Sequence, residues 1–135
     1  MSIYRPARVL WNLTQSGTPQ TLSGAATTNG PVINLIDVSD VWLAVTVIGT
    51  PTGTNPTLDV GLDVQDPDGN WYPTVAKITQ LTTSAGRGSA FVGLHMPNVS
   101  STSAAFVLPS YGRVTWTLGG TNPVYPQTSI ALMGR

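Results

Sequence analysis

The feature that most constrains the fold of this chain is a stretch of eight residues in which apolar and polar or small side chains alternate strictly. The stretch is Leu58-Asp59-Val60-Gly61-Leu62-Asp63-Val64-Gln65. Successive side chains of a β-strand point to opposite faces, so this pattern predicts a strand with one buried face and one solvated face. We therefore expect Leu62 to lie in the hydrophobic core and Asp63 to lie at the surface.

A turn signal follows this stretch. The segment Asp66-Pro67-Asp68-Gly69-Asn70 combines a proline, which fixes its own φ, with an Asp-Gly pair that suits a tight turn. Trp71 and Tyr72 then begin a second extended segment. A turn of this kind between two extended segments predicts a β-hairpin.

The same turn is the best candidate for a metal site. Asp66, Asp68 and Asn70 place oxygen atoms at alternate positions, as the first half of a calcium loop does. That loop is closed by a bidentate glutamate, and the chain contains no glutamate. We therefore predict a turn held by hydrogen bonds from side chain to backbone, and no bound metal.

Other short β-rich segments are separated by glycine and proline, and no segment shows a sustained helical period. The candidate strands are 8–13, 31–36, 41–47, 75–81, 90–96, 104–108, 113–118 and 128–133. An antiparallel sheet of about eight or nine short strands folds over on itself to bury its apolar face. We therefore predict an all-β fold, an antiparallel β-sandwich of the jelly-roll kind.

The chain is predicted to form a single domain. We expect the sandwich to span residues 31–135, preceded by an N-terminal arm and loop over residues 1–30. Segments 15–30, 49–56 and 82–89 are predicted to be loops, since glycine, serine and threonine are frequent in them. The segment Gly119-Gly120-Thr121-Asn122-Pro123 is predicted to end a strand.

The charge content restricts the partners of this domain. Only 9% of the residues are charged, whereas an average soluble domain has about 25%. The net charge is zero and no basic cluster is present, so we expect no nucleic-acid partner. No run approaches the ~18 apolar residues of a membrane-spanning helix, so we expect no membrane partner. Few surface charges mean weak repulsion between copies, which favours a homodimer or homotrimer.

Residue types that commonly perform catalysis are sparse. The chain has no cysteine, and its single histidine, His95, lies among apolar neighbours near the end of a predicted strand. One histidine without cysteine or glutamate does not form a usual zinc site. The serines lack a nucleophile motif such as G-x-S-x-G. We therefore predict that the protein is not an enzyme, with no catalytic residue and no cofactor.

Four tryptophans leave a second function open. Trp11, Trp42, Trp71 and Trp116 offer aromatic rings on which sugars can stack. We expect Trp42 and Trp116 to be buried or half-buried in the core and Trp71, directly after the turn, to be the most exposed ring. The alternative function is a carbohydrate- or receptor-binding β-sandwich module, as in a phage fibre or neck.

Three segments of the chain share a pattern with a known family. They are Val41-Trp42-Leu43-Ala44-Val45-Thr46-Val47, the stretch 58–71 with its D-G-N-W turn, and the stretch 111–123 with its closing strand 129–134. In these segments the chain resembles the small jelly-roll cement (decoration) proteins of tailed-bacteriophage heads. The resemblance extends from Pro31 to the C-terminus and lies in the order of strands and turns.

This resemblance implies a structural protein of the virion. A member of this family would be made in the host cytoplasm and bound to the outer surface of an HK97-type capsid. It would stabilise the shell by bridging neighbouring major capsid subunits, without covalent bonds. The resemblance brings no catalytic, metal-binding or cofactor-binding residue to this chain.

The N-terminal segment 2–11 is the candidate partner interface. It contains Tyr4, Arg5, Arg8 and Trp11. Tyrosine, tryptophan and arginine are the residue types enriched at the centres of protein interfaces. We therefore expect these four residues to contact a neighbouring subunit. An ordinary edge strand preceded by a frayed end remains the alternative for this segment.

Overall fold

A computed structural model of the chain describes residues 6–13, 18–93, 103–104 and 107–135. All regular structure in these residues is β-strand. The strands are β1 (Arg8–Asn12), β2 (Gln20–Ser23), β3 (Thr27–Asn29), β4 (Ile33–Asn34), β5 (Asp40–Val47), β6 (Thr52–Gln65), β7 (Trp71–Lys77), β8 (Gly86–Gly93), β9 (Ser103–Ala104) and β10 (Tyr111–Gly134).

The long strand β10 organises the sheet. Its first part, up to Gly119, pairs with β6 on one side and with β3 and β4 on the other. Its last part, from Thr128 onward, pairs with β5 and β1, while β2 pairs with the middle. The first layer consists of β7, β6, the first part of β10, β3 and β4, and the second layer consists of β8, β5, the last part of β10 and β1. Every strand pairing among the described residues is antiparallel except the short one between β8 and β9.

The strands form one sheet that is nearly closed, like a barrel. The predicted all-β, antiparallel, jelly-roll-like sandwich is confirmed. The D-P-D-G-N hairpin is also confirmed, because Gln65 pairs with Trp71 and the Asp66 amide donates to the Asn70 carbonyl oxygen over 3.0 Å.

β10 passes from one layer to the other through a bend. Gly120, Asn122 and Gln127 have φ values of 96°, 48° and 52°, and the register with β6 shifts on both sides of Thr121. A Cβ at residue 120 would collide with the Asn55 carbonyl oxygen, so the bend requires glycine there. The prediction that residues 119–123 end a strand was wrong, because bulges let the strand turn the corner and continue.

The core lies between the two layers. Aliphatic residues of alternate parity on β5 and β6 are buried there, together with residues of β10. Leu62 is fully buried, as its pattern predicts. Trp116 is buried too, with 7% of its surface exposed. Tyr125 is fully buried near the bend, and its hydroxyl lies 2.9 Å from the Thr82 carbonyl oxygen.

Parts of the predicted loops belong to the sheet. Segment 15–30 contains β2 and β3, which both pair with β10. Within the described residues, the region 1–30 that was predicted to be an arm and loop therefore contributes strands to the sheet. Segment 49–56 contains the start of β6, and segment 82–89 contains the start of β8. Their compositions resemble those of loops because threonine and glycine suit exposed or bulged strand positions as well as turns.

Candidate docking face

The outer side of the second layer carries an exposed tryptophan. Along β5 the odd-numbered residues Val41 to Val47 point into the core, so Trp42, Ala44 and Thr46 point outward. Trp42 is 41% exposed. The expectation that Trp42 belongs to the core was wrong, because an apolar residue at the outward parity of a strand faces away from the core whatever its hydrophobicity.

Trp42 belongs to a row of large apolar side chains that crosses four strands. Val9 on β1 pairs with Met133 on β10, Met133 with Trp42, and Trp42 with Phe91 on β8. Directly paired residues share a face of the sheet, so all four side chains project outward. The rings of Trp42 and Phe91 stack with their centroids 5.9 Å apart and their planes 2° apart. Val9 at the end of the row is 59% exposed.

A row of small side chains runs beside the large one. Asn12 pairs with Ala131, Ala131 with Ala44, and Ala44 with Ser89. Two residues along a strand separate the rows, which corresponds to about 7 Å. We call these two rows together the apolar face. The row of large side chains forms a ridge on this face, and the row of small side chains forms a trough beside it.

The space on either side of Trp42 fits this description. A depression of about 430 Å³ lies on the trough side, lined by Ala44, Thr46, Arg87 and Ser89 as well as Trp42. A second depression of about 250 Å³ lies on the other side of the tryptophan, lined in part by Ala7, Phe91 and Met133. The indole therefore stands between two open volumes that a partner can fill.

Among the described residues around the apolar face, the charged side chains lie at its two ends. At one end Asp40, which is buried, lies 3.6 Å from the Nε atom of Arg135. At the other end Arg87, paired with Thr46, is exposed. The middle of the face is uncharged, so a partner can cover it without desolvating an ion.

The predicted interface residues do not form one cluster in the described structure. Tyr4 and Arg5 lie outside the described residues. Arg8 is exposed on β1 and pairs with Gly134. Trp11 points inward, where its ring stacks on Trp116 with centroids 5.9 Å apart. Trp11 therefore fastens β1 to the core instead of facing a partner.

The outer side of the first layer is polar. Its outward residues come from β3, β6, β7 and the first part of β10, and we call it the polar face: Thr27, Asp59, Asp63, Lys77, Arg113, Thr115 and Thr117. Hydrogen bonds connect neighbouring strands across it. The hydroxyls of Thr27 and Thr117 are 2.8 Å apart, and Gln80 Nε2 donates to Asp59 Oδ2 over 2.8 Å.

Asp63 is buried on this face, with only 4% of its surface exposed. The Thr74 amide donates to its Oδ1 atom over 2.9 Å, and Arg113 Nε lies 3.2 Å from its Oδ2 atom. Thr115 contributes a longer hydroxyl contact of 3.4 Å. The prediction that Asp63 lies at the surface was wrong, because these neighbours enclose and pair the carboxylate, as a buried charge requires.

Asp63 also stabilises an unusual backbone conformation at Thr74, whose amide donates to it. Thr74 has a φ of 55°, and the register between β6 and β7 shifts opposite Asp63. A left-handed φ is strained for a β-branched residue. The carboxylate accepts the amide hydrogen that this bulge turns away from the strand ladder. Asp63 therefore stabilises the bulge.

Trp71 is half-buried and covered by a cation. The guanidinium carbon of Arg113 lies 4.1 Å from the centroid of the Trp71 ring, which is within cation–π range. Trp71 was predicted to be the most exposed ring, but Trp42 is the tryptophan that the structure exposes. The face of Trp71 under Arg113 is not open for stacking on a sugar.

The hairpin turn is organised by the Asp66 carboxylate. Its Oδ1 atom accepts hydrogen bonds from the amides of Asp68 and Asn70, and its Oδ2 atom accepts from Asn70 Nδ2 and the Tyr72 hydroxyl. The bonds from Asn70 are the main cause that lowers the pKa of Asp66 below its ordinary value of 3.8. The bond to Asp66 in turn raises the pKa of Tyr72. The Asp66 carboxylate thus accepts hydrogen bonds from four donors of its own hairpin.

The described residues contain neither a candidate metal site nor a membrane-spanning helix. No group of three His, Cys, Asp or Glu side chains suited to a metal ion occurs in 6–13, 18–93, 103–104 and 107–135. His95 lies outside those ranges. Within them, no helix is long and apolar enough to cross a membrane.

Comparison with known proteins gives no further guide: no family model, curated protein or solved structure matches this chain. A signal for the apolar face was present in the sequence. Trp42, Ala44 and Thr46 occupy alternate positions of one strand, and Ala131 and Met133 occupy alternate positions of another, so each set lies on one face of its strand. Only the strand register places those residues side by side.

Proposed function

We propose that this chain is a structural, non-enzymatic protein that decorates the outer surface of an HK97-type phage capsid and bridges neighbouring major capsid subunits. The observation that carries the proposal is the arrangement of the three segments that resemble cement proteins. They form β5, the β6–β7 hairpin and β10, which are consecutive neighbours in the order β7-β6-β10-β5. The resemblance therefore extends over one continuous piece of sheet.

The surface suits a role in assembly. The protein has few charges, and its exposed large apolar residues include Val32, Ile36 and Val107, which lie away from the apolar face. Burial of such residues against a shell adds interface that only the assembled state has, and so stabilises that state by linkage. Repetition around a closed shell multiplies a modest contact through avidity.

The capsid contact is assigned to the N-terminal edge of the molecule. Among the described strands, β1 pairs with β10 alone, so it is an edge strand. The stack of Trp11 on Trp116 fixes this strand, and Arg8 is exposed on it. Tyr4 and Arg5 precede Arg8 in the chain and complete the proposed contact.

The test is addition of purified protein to capsids that lack it, followed by co-sedimentation. Deletion of residues 2–11 is unsuitable because it would remove most of β1 and the ring that covers Trp116. The triple variant Tyr4→Ala, Arg5→Ala, Arg8→Ala keeps the strand and should bind at least tenfold more weakly, which corresponds to about 1.4 kcal/mol from three interface-type residues. Lys77→Ala, an exposed cation on the polar face, is the matched control and should bind like the parent protein.

Undiminished binding of the triple variant would remove the N-terminal edge from the proposal. If the parent protein does not bind capsids at all, the cement function is wrong.

A second candidate function has one observation in its favour. The polar face contains a depression of about 310 Å³ lined by Asp59, Thr74, Lys77, Gln80 and the threonines of β10. Carboxylate, amide, ammonium and hydroxyl groups are suited to hydrogen bonding with a sugar. Saturable binding on a glycan array, lost in Lys77→Ala and Gln80→Ala, would favour a carbohydrate-binding module over a cement protein.

A further inference from the structure

The apolar face has a self-complementary shape. Its row of large side chains and its row of small side chains cross the same four strands in the same order. We propose that this face is the interface of a homodimer, with a two-fold axis that lies in the interface and runs across the strands between the two rows.

Rotation about such an axis places the ridge of each copy over the trough of the other. The axis exchanges the two ends of every strand but keeps the strand order, so β5 lies over β5 and β10 over β10. Trp42 then lies over Ala44 of the second copy, and Met133 lies over Ala131. A two-fold interface requires a patch that complements itself, and the alternation of large and small rows satisfies this requirement. The sheets would face each other at about 10 Å, as in a β-sandwich.

The same rotation places the charged residues at one end of the face over those at the other end. The row beyond the trough contains Arg87, and the row beyond the ridge contains Asp40 and Gly93, which are paired. The Asp40 Oδ1 atom lies over the α-carbon of Gly93, at the position that a Cβ would occupy. The rotation brings Arg87 of one copy over Gly93 of the other, and so close to this carboxylate. Arg87 of each copy would therefore face the Asp40–Arg135 ion pair of the other copy, at both ends of the dimer.

The size of the face sets the expected strength. β5 and β8 contribute eight residues each, β1 five and the paired end of β10 seven, so at a strand spacing of about 4.8 Å the face covers roughly 450 Å² per copy. Two copies would bury about 900 Å², which is below the ~1,200 Å² at which stable specific interfaces begin and within the range of weak, transient ones. We therefore expect a dimer that forms reversibly in the micromolar range. Formation of this dimer does not require the capsid.

Sedimentation velocity over a concentration series tests the interface. Trp42→Ala removes the ridge and Ala44→Trp fills the trough, so each variant should raise the dimer dissociation constant at least tenfold. The double variant Trp42→Ala, Ala44→Trp exchanges ridge and trough at matching positions and should restore dimer formation. Thr117→Trp puts the same bulk on the polar face and is the control, with dimerisation unchanged. Circular dichroism and the thermal midpoint check that each variant is folded.

Restoration by the double variant is specific to this axis, since other dimers or trimers would not exchange residues 42 and 44. A parent protein that stays monomeric at high concentration overturns the inference. So does a folded double variant that dimerises no more tightly than the two single variants. A monomer that still co-sediments with capsids would leave the proposed function intact. A dimer that ignores capsids would leave this inference intact and remove the proposed function.

Discussion

The two outer faces of the molecule are built on the same strand, β10, and obey the same alternation, yet they have opposite chemistry. On the polar face Asp63 is buried, although it is a charged residue at the outward parity of its strand. On the apolar face Trp42 is exposed, although it is a large aromatic residue. Parity decides which side of the sheet a side chain takes. What covers that side decides whether the side chain is buried.

The difference has a physical cause in the neighbours of each face. Asp63 is enclosed because the bulge at Thr74 brings a backbone amide onto it while Arg113 reaches across from β10. No described element covers Trp42 in a similar way, and its chief neighbour is the ring of Phe91. The polar side chains of one face find their hydrogen-bonding and ionic partners within the chain. The other presents apolar surface, which soluble proteins generally reserve for a partner.

The largest expected effect is a loss of folding stability, which compares a residue of the core with a residue of the apolar face. Leu62→Ala should destabilise the protein by about 2–5 kcal/mol, because it leaves a cavity at a fully buried position. Val9→Ala removes an apolar side chain from the outer face instead and should stay within about 0.5 kcal/mol. Urea denaturation of both variants provides the comparison. Equal losses would mean that Val9 is as buried as the core and that the apolar face is already covered.

The next effect concerns the buried carboxylate. Asp63→Ala should cost about 2–3 kcal/mol, because it leaves the Thr74 amide and the Arg113 guanidinium without their acceptor. Asp59→Ala, two residues earlier on the same face, is the control and should cost about 0.5 kcal/mol or less because Asp59 is only half-buried. Denaturant unfolding measures both. A loss at Asp63 no greater than that at Asp59 would contradict the role given to this cluster.

A smaller effect of opposite sign is expected at the strained bulge. Thr74→Asn should stabilise the protein by about 0.5–1 kcal/mol, because asparagine tolerates a φ of 55° better than threonine does. Thr117→Asn makes the same change at a strand position of the polar face and should be neutral or slightly destabilising. The shift in thermal midpoint distinguishes the two. Destabilisation at residue 74 equal to that at 117 would show that the left-handed conformation is not strained.

The smallest effect is local to the hairpin turn. A carboxyl group with a lowered pKa stabilises the folded state above its unfolded pKa, and this contribution is lost as pH falls through the folded pKa. For Asp66 the loss therefore begins near the ordinary value of 3.8 and is complete below the lowered pKa. Protection of the Asp68 and Asn70 amides against hydrogen exchange, measured relative to their intrinsic exchange rates, should fall over that range. In Asp66→Asn the exchange should lack this transition, and a transition that persists in the variant would assign the titration to another group.

Much of the hairpin could be predicted from the sequence because its causes are local. Alternation over residues 58–65 fixes which side chains share a face, and the turn Asp66 to Asn70 contains the residues that its own hydrogen bonds need. The fold class follows from several such segments with turns between them. The continuation of β10 through Gly120 could not be predicted, because the contact that makes glycine necessary there comes from Asn55 on another strand.

What the sequence by itself determined about this protein is the set of faces: β-strands throughout, a hydrophobic side on each main strand, and a hairpin between β6 and β7. Tertiary structure alone decided the identity of the outer faces. Pairing across strands far apart in the chain aligned Val9, Met133, Trp42 and Phe91 into a ridge and enclosed Asp63 on the opposite layer. Alternation is a property of one strand, whereas the burial of a residue depends on the register of its neighbours.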